Sequence, residues 1–179
     1  MAEATKTEQR PGMLTGLFTD QKSTESAYQS LVDRGYTEKE INVIMSDKTR
    51  DQYYARDPET VVGSKAGEGA GVGGAIGGTL GAIIGGIAAI GTNLIIPGLG
   101  LVVWGPVAAA LAGAGAGGLT GGLVGALVGW GIPEERARIY EEGVKSGGTV
   151  LGVTPRSPED AEYFEKEWTG KYNGRDIYR

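Results

Sequence analysis

The chain has no cysteine and no histidine, and between Gly69 and Pro133 it has no charged side chain. Without cysteine there are no disulfides and no thiolate nucleophile or metal ligand. Without histidine, the commonest general base and the commonest metal ligand are gone. No catalytic, cofactor-binding or metal-ligating constellation is left, and the expectation is a protein that is not an enzyme. Basic residues are also short: 17 Lys and Arg stand against 22 Asp and Glu, for a formal charge of -5. No Lys/Arg stripe offsets that balance, which speaks against nucleic acid, since phosphate binding relies on basic patches. The first twelve residues lack the apolar core of a signal peptide. The expectation is a chain kept in a bacterial-type cytoplasm or inserted in a membrane from that side.

Glycine, by contrast, is abundant. There are 33, far above the usual share of roughly 7%, and most fall in the charge-free stretch. They recur every fourth residue along two tracks. The first is Gly69, Gly73, Gly77, Gly81 and Gly85; the second is Gly105, Gly113, Gly117, Gly121, Gly125 and Gly129, with Ala109 in the missing place. Residues four apart stack on one helix face. Each track reads as a side-chain-free groove for close backbone approach, the small-xxx-small pattern of tightly packed apolar helices. Pro97 and Gly98 interrupt the stretch and mark the turn of a hairpin. Its arms, roughly 66–91 and 103–131, would each reach about 36–40 Å as helices, enough to cross a hydrocarbon core of about 30 Å.

The flanks read differently. Residues 1–12 form a polar tail ending at Pro11-Gly12. Met13 to Thr19 is a strand-sized apolar run. Asp20 can cap a helix from Gln21 to Arg34, with Ala27, Leu31 and Val32 on its apolar side and Gly35 ending it. Ile41, Val43 and Met45 alternate with Asn42 and Ile44 as in a strand. Residues 51–65 read as a polar linker. After the hairpin, Pro133 with Glu134 and Glu135 opens a helix that stops at Gly147-Gly148. Thr149 to Val153 is a strand, and Ser157 caps a last helix from Pro158 to about Trp168. The architecture is α+β: a β-α-β unit over 13–50, the hairpin over 66–131, an α-β unit over 132–154, and a helix with a polar tail over 155–179. Strands from both ends of the chain would meet in one small sheet.

Two segments carry a resemblance. Thr15-Gly16-Leu17-Phe18, the helix to Arg34-Gly35-Tyr36, and Glu40 to Ile44 resemble the front of the bacterial heat-induced general stress protein family. Gly131-Ile132-Pro133-Glu134-Glu135, Ile139 to Lys145 and Gly147-Gly148 look like its closing helix and strand. The resemblance covers roughly 13–50 and 131–154. It implies a small ferredoxin-like module split by a Gly/Ala-rich insert, a role in stress tolerance, and no catalytic residue.

Other motifs fail on context. Gly69 to Gly74 spells G-x-G-x-x-G, but no strand precedes it and no acid follows before Glu134. The acidic clusters at Glu134-Glu135, Glu141-Glu142 and Glu159-Asp160-Glu162 each sit in or near the start of a helix, or beside Arg136, Arg138 and Lys145 at pairing distance, as solvated helix faces do.

The apolar stretch needs a cover. Some twenty helical glycines in water would cost on the order of 15–20 kcal/mol relative to alanine, more than a whole domain's stability. Either lipid or copies of the same chain cover it. Trp104 and Trp130, at the ends of the second arm, sit where interface anchors belong, and flanking Lys and Arg would hold both termini in the cytoplasm. The apolar tip from Leu94 to Trp104 suits burial in a protein assembly instead. The functional expectation is a non-enzymatic stress-response protein that self-associates through a glycine-zipper hairpin in or on the membrane. The alternative is a soluble ring, shell or filament with the hairpins as a shared core. The partner is the chain itself, with a lipid bilayer as the other candidate.

Overall fold

The computed structural model describes residues 12–53, 94–96, 100–113 and 122–179. Most of the N-terminal tail, most of the linker and the whole first glycine track lie outside the described residues.

The first half forms as its sequence directs. β1 is Leu14–Phe18, α1 is Gln21–Asp33 and β2 is Ile41–Ser46. The Asp20 carboxylate accepts the Ser23 amide at 2.8 Å and so satisfies one of the unpaired amides of the first turn. Gly35, at φ +83°, takes the left-handed position that ends a helix without a Cβ clash. Val32, expected on the apolar side, is exposed. The linker reading is corrected at its start: Asp47–Tyr53 forms α2. Ser46 Oγ accepts the Thr49 amide at 3.1 Å, a local cap that turns the chain straight from strand into helix.

The second arm does not run as one helix. β3 is Leu94–Ile96 and β4 is Leu101–Trp104, an antiparallel pair whose connection contains Pro97 and Gly98. Pro97 and Gly98 themselves, like the first arm of the expected hairpin, lie outside the described residues. Leu101-Val102-Val103-Trp104 is a short run of strand-forming residues, and β2 offers it an edge, with Val43 opposite Trp104 and Ser46 opposite Leu101. Backbone pairing there outweighs the helical glycine period. Helix resumes as α3, Pro106–Gly113, and again as α4, Gly122–Gly129. Each spans about 12 Å by its rise. No helix among the described residues is long and apolar enough to cross a membrane.

The closing elements are α5 (Glu134–Lys145), β5 (Thr149–Val153), α6 (Pro158–Gly170) and β6 (Arg175–Tyr178). Ser157 accepts the Asp160 amide and caps α6. The sheet order is β3-β4-β2-β5-β1-β6, and every recorded pairing is antiparallel. The two ends of the chain do meet: β5 lies between β1 and β2. β1 and β2 are thus parallel and split by β5, while β4 and β5 are parallel and split by β2. These two interlocked split units are what a ferredoxin-like module also has. Here, however, the second and last of the four strands β1, β2, β4 and β5 are central, whereas a ferredoxin-like sheet centres the first and third.

Alternation along the strands sends side chains to two cores. On one face Leu14, Phe18, Ile41, Val43, Val102, Trp104, Leu151 and Val153 pack under α1 and α6, with Phe164 and Trp168 at the centre. On the other, Leu17, Ile44, Leu101, Val103 and Val150 pack under α3, α4 and α5. The protein is α+β in three layers.

Candidate functional site

The second-face core carries one row of residues that are not apolar. Read across the sheet through the cross-strand pairs, Asn42 stands opposite Gly152, Gly152 opposite Thr15, and Thr15 opposite Tyr178. Gly105 follows β4 directly beside Asn42. Strand alternation puts all these positions on the face that α3, α4 and α5 cover. Asn42 is 3% exposed. Its Oδ1 accepts the Val107 amide at 2.8 Å, and its Nδ2 donates to the Gly152 carbonyl at 3.3 Å. α3 therefore receives its N-terminal cap from a strand 65 residues away rather than from its own preceding residue. Gly105 makes this possible. At φ +91° its backbone lies so close to β2 that a Cβ would stand 2.2 Å from the Ile41 carbonyl oxygen and 2.9 Å from Asn42 Oδ1. Only glycine fits.

At the far end of the row the Tyr140 hydroxyl of α5 donates to the Asp176 carbonyl at 2.6 Å. Its proton is thereby committed, so Thr15 Oγ1 is the donor in their 2.8 Å contact. Burial pushes the Tyr140 hydroxyl up to about 12, although the Thr15 hydrogen bond opposes that. The arrangement ties α5, β1 and β6 together.

A second polar cluster lies where α1 ends and α6 begins. Asp160 accepts from Arg34 Nε and from the Tyr36 hydroxyl, both at 2.7 Å. The Tyr36 oxygen in turn accepts the Arg156 amide at 2.7 Å. The Arg156 guanidinium lies 4.4 Å from the Tyr36 ring and donates to both Glu40 oxygens, at 2.9 and 2.8 Å. Both arginines are thus matched to carboxylates. Burial raises the Asp160 pKa, but the Tyr36 and Arg34 hydrogen bonds carry it below its ordinary value. Among the described residues no group of three or more Asp or Glu is placed to hold a metal ion.

The expected assembly residues divide. Gly69, Gly73, Gly77, Gly81, Gly85, Gly117 and Gly121 lie outside the described residues, as do Pro97 and Gly98. Gly113 ends α3. Gly105 is not part of an open groove but the seat against β2 just described. Trp104, expected as an interface anchor, is 6% exposed in the core against α1 and α6, because it falls on a strand. Trp130 follows α4 and packs partly buried against the second core. Gly125 and Gly129 lie on α4. Both are exposed on α4, and a Cβ at either would meet nothing within 4 Å. Val128 between them is 43% exposed, while Leu123, Ala126 and Leu127 on the opposite side of the same helix are buried. α4 carries no polar side chain on either side.

Sequence reasoning assigned no role to Asn42, Gly152, Thr15, Tyr140 or the Arg34–Asp160 and Arg156–Glu40 pairs. A signal existed for one of them: Asn42 is the polar residue in the apolar run Ile41 to Met45, on the face of Ile44.

The chain matches no family model, no curated protein and no solved structure.

Proposed function

We propose that this protein is a non-enzymatic self-associating protein of the stress response, in which the glycine-rich segment of one copy packs against that of another. The observation that carries the reading is the outer face of α4. Gly125, Val128 and Gly129 present an apolar, side-chain-poor strip on a helix without charge, beside a glycine-rich segment whose folding in water would otherwise be costly. The stress setting comes from the resemblance at residues 13–50 and 131–154. Of the two covers for the apolar surface, copies of the chain are favoured. Leu101–Trp104 is engaged in the sheet, and α3 and α4 bury Val107, Ala108, Leu123 and Leu127 against it, so this part of the segment is committed to protein contacts. The charge-free length from Gly69 to Pro133 favours a second reading, a glycine-zipper insert that lies in or on a bilayer with both termini in the cytoplasm.

The test is fractionation of a detergent-free lysate with flotation on a lipid gradient, for the parent chain and Gly125→Leu. Large particles that fail to float, and that shrink in Gly125→Leu, are expected. Flotation that survives carbonate washing supports the bilayer reading instead. A monodisperse monomer in both fractions removes self-association altogether.

A further inference from the structure

We propose that Asn42 is the positioning residue that sets how the glycine-rich segment leaves the sheet, and that assembly through that segment depends on it. The inference rests on the self-association reading. The apolar contacts of α3 are non-directional: Val107 and Ala108 are buried in one cluster with Leu101, Val103 and Ile44. The Asn42 to Val107 hydrogen bond is directional, buried, and formed with a residue of another element. It acts at the first turn of α3, where an error in direction is carried along the whole helix. Asn42 is itself held. Its Nδ2 bonds the Gly152 carbonyl of β5, and β5 is paired on its other side to β1. Gly105 brings the chain close enough for the cap to form. The start of the second glycine track is thus keyed to the centre of the sheet, and α3 shares the second core with α4, the helix that carries Gly125, Val128 and Gly129.

Two substitutions separate positioning from stability. Asn42→Leu fills the volume but neither caps Val107 nor bonds Gly152. Asn42→Asp keeps the acceptor for Val107 but loses the donor to Gly152 and buries a carboxylate. If Asn42 acts by positioning, Asn42→Asp is the less stable variant yet retains the parent's particle size, and Asn42→Leu is the one whose particles change. Amide hydrogen exchange at Val107 should accelerate about tenfold or more in Asn42→Leu and stay protected in Asn42→Asp. Particle size that follows stability across the three chains, or that is unchanged when Val107 loses protection, overturns the proposal while leaving self-association intact. A monodisperse monomer of the parent chain removes self-association instead. Should neither Asn42 variant fold, exchange in the parent decides: Val107 protected as strongly as the β2 amides is required, and protection no better than a fraying helix end refutes the lock.

Discussion

Two glycines of the same track have opposite reasons to be glycine. Gly105 is held at φ +91° with the Ile41 carbonyl where its Cβ would stand. Gly125 lies mid-helix at ordinary dihedrals, with open space around it. Gly105→Ala should therefore cost about 3 kcal/mol or more, since strained backbone alone is worth about 1–3 kcal/mol and a backbone clash adds to it. Gly125→Ala should stabilise the isolated fold by about 0.8–1 kcal/mol through helix propensity, while weakening any contact that needs a bare helix face. Urea unfolding at low protein concentration measures both. Equal effects at the two positions would mean that α4 is covered in the native protein.

At the scale of elements, α6 and β6 close the fold. Trp168 and Phe164 fill the first core, with Phe18 and Trp168 edge to face at a centroid distance of 5.4 Å. The N-terminus of α6 is fastened through Asp160 and Arg156. Asp160 and Glu40 both have folded pKa values below their ordinary ones: Glu40 chiefly through the Thr37 amide, Asp160 through Tyr36 and Arg34 against the effect of burial. A depressed carboxylate contributes stability above the unfolded value of about 4, which is lost as pH falls through the folded value. Glu25, raised by burial, acts in the opposite sense. The fold should weaken below about pH 4, and Asp160→Asn should lose about 1 kcal/mol at pH 7, a modest figure because Arg34 is partly exposed. The same variant should show a smaller further loss on going to pH 3. Unfolding midpoints at the two pH values check this, and an unchanged acid loss in Asp160→Asn would place the sensitivity elsewhere.

For the whole molecule, three tyrosines, on α1, in the α1–β2 connection and on α5, report the integrity of both cores. Burial pushes Tyr28, Tyr36 and Tyr140 each up to about 12. A folded pKa above the unfolded value of about 10 means stability that is complete below pH 10 and is lost as pH rises toward 12. Urea midpoints should hold to about pH 9.5 and fall steeply by pH 11.5, with Tyr140→Phe less affected over that interval. Midpoints that are level across the interval would contradict the burial of these hydroxyls. One edge of the sheet is β6. β6 carries Arg175 and Asp176, a register shift against β1 and a left-handed Asp176 at φ 52°, features that discourage pairing with another strand.

Most of the flanking fold was legible from residues alone. Asp20 and Ser157 mark their helix starts because a side-chain cap is a local matter between one residue and the nearest turn, and Gly35 and Gly147 mark helix ends because the left-handed residue after a helix favours glycine. Alternation of Ile41, Val43 and Met45 with Asn42 and Ile44 marks β2 for a similar reason: a period of two is a property of the chain itself. The sequence by itself also determined that no cysteine or histidine chemistry exists here, and that the stretch from Gly69 to Pro133 carries no charge. Only tertiary structure decided that Leu101–Trp104 belongs to the sheet, since an apolar run of four residues takes its conformation from whichever backbone offers hydrogen bonds. Only tertiary structure brought Asn42 to Val107, Thr15 to Tyr140 and Arg34 to Asp160, because these residues lie 65, 125 and 126 positions apart. No local rule relates residues so distant. Their meeting follows from strand order, which the burial of two whole sheet faces selects.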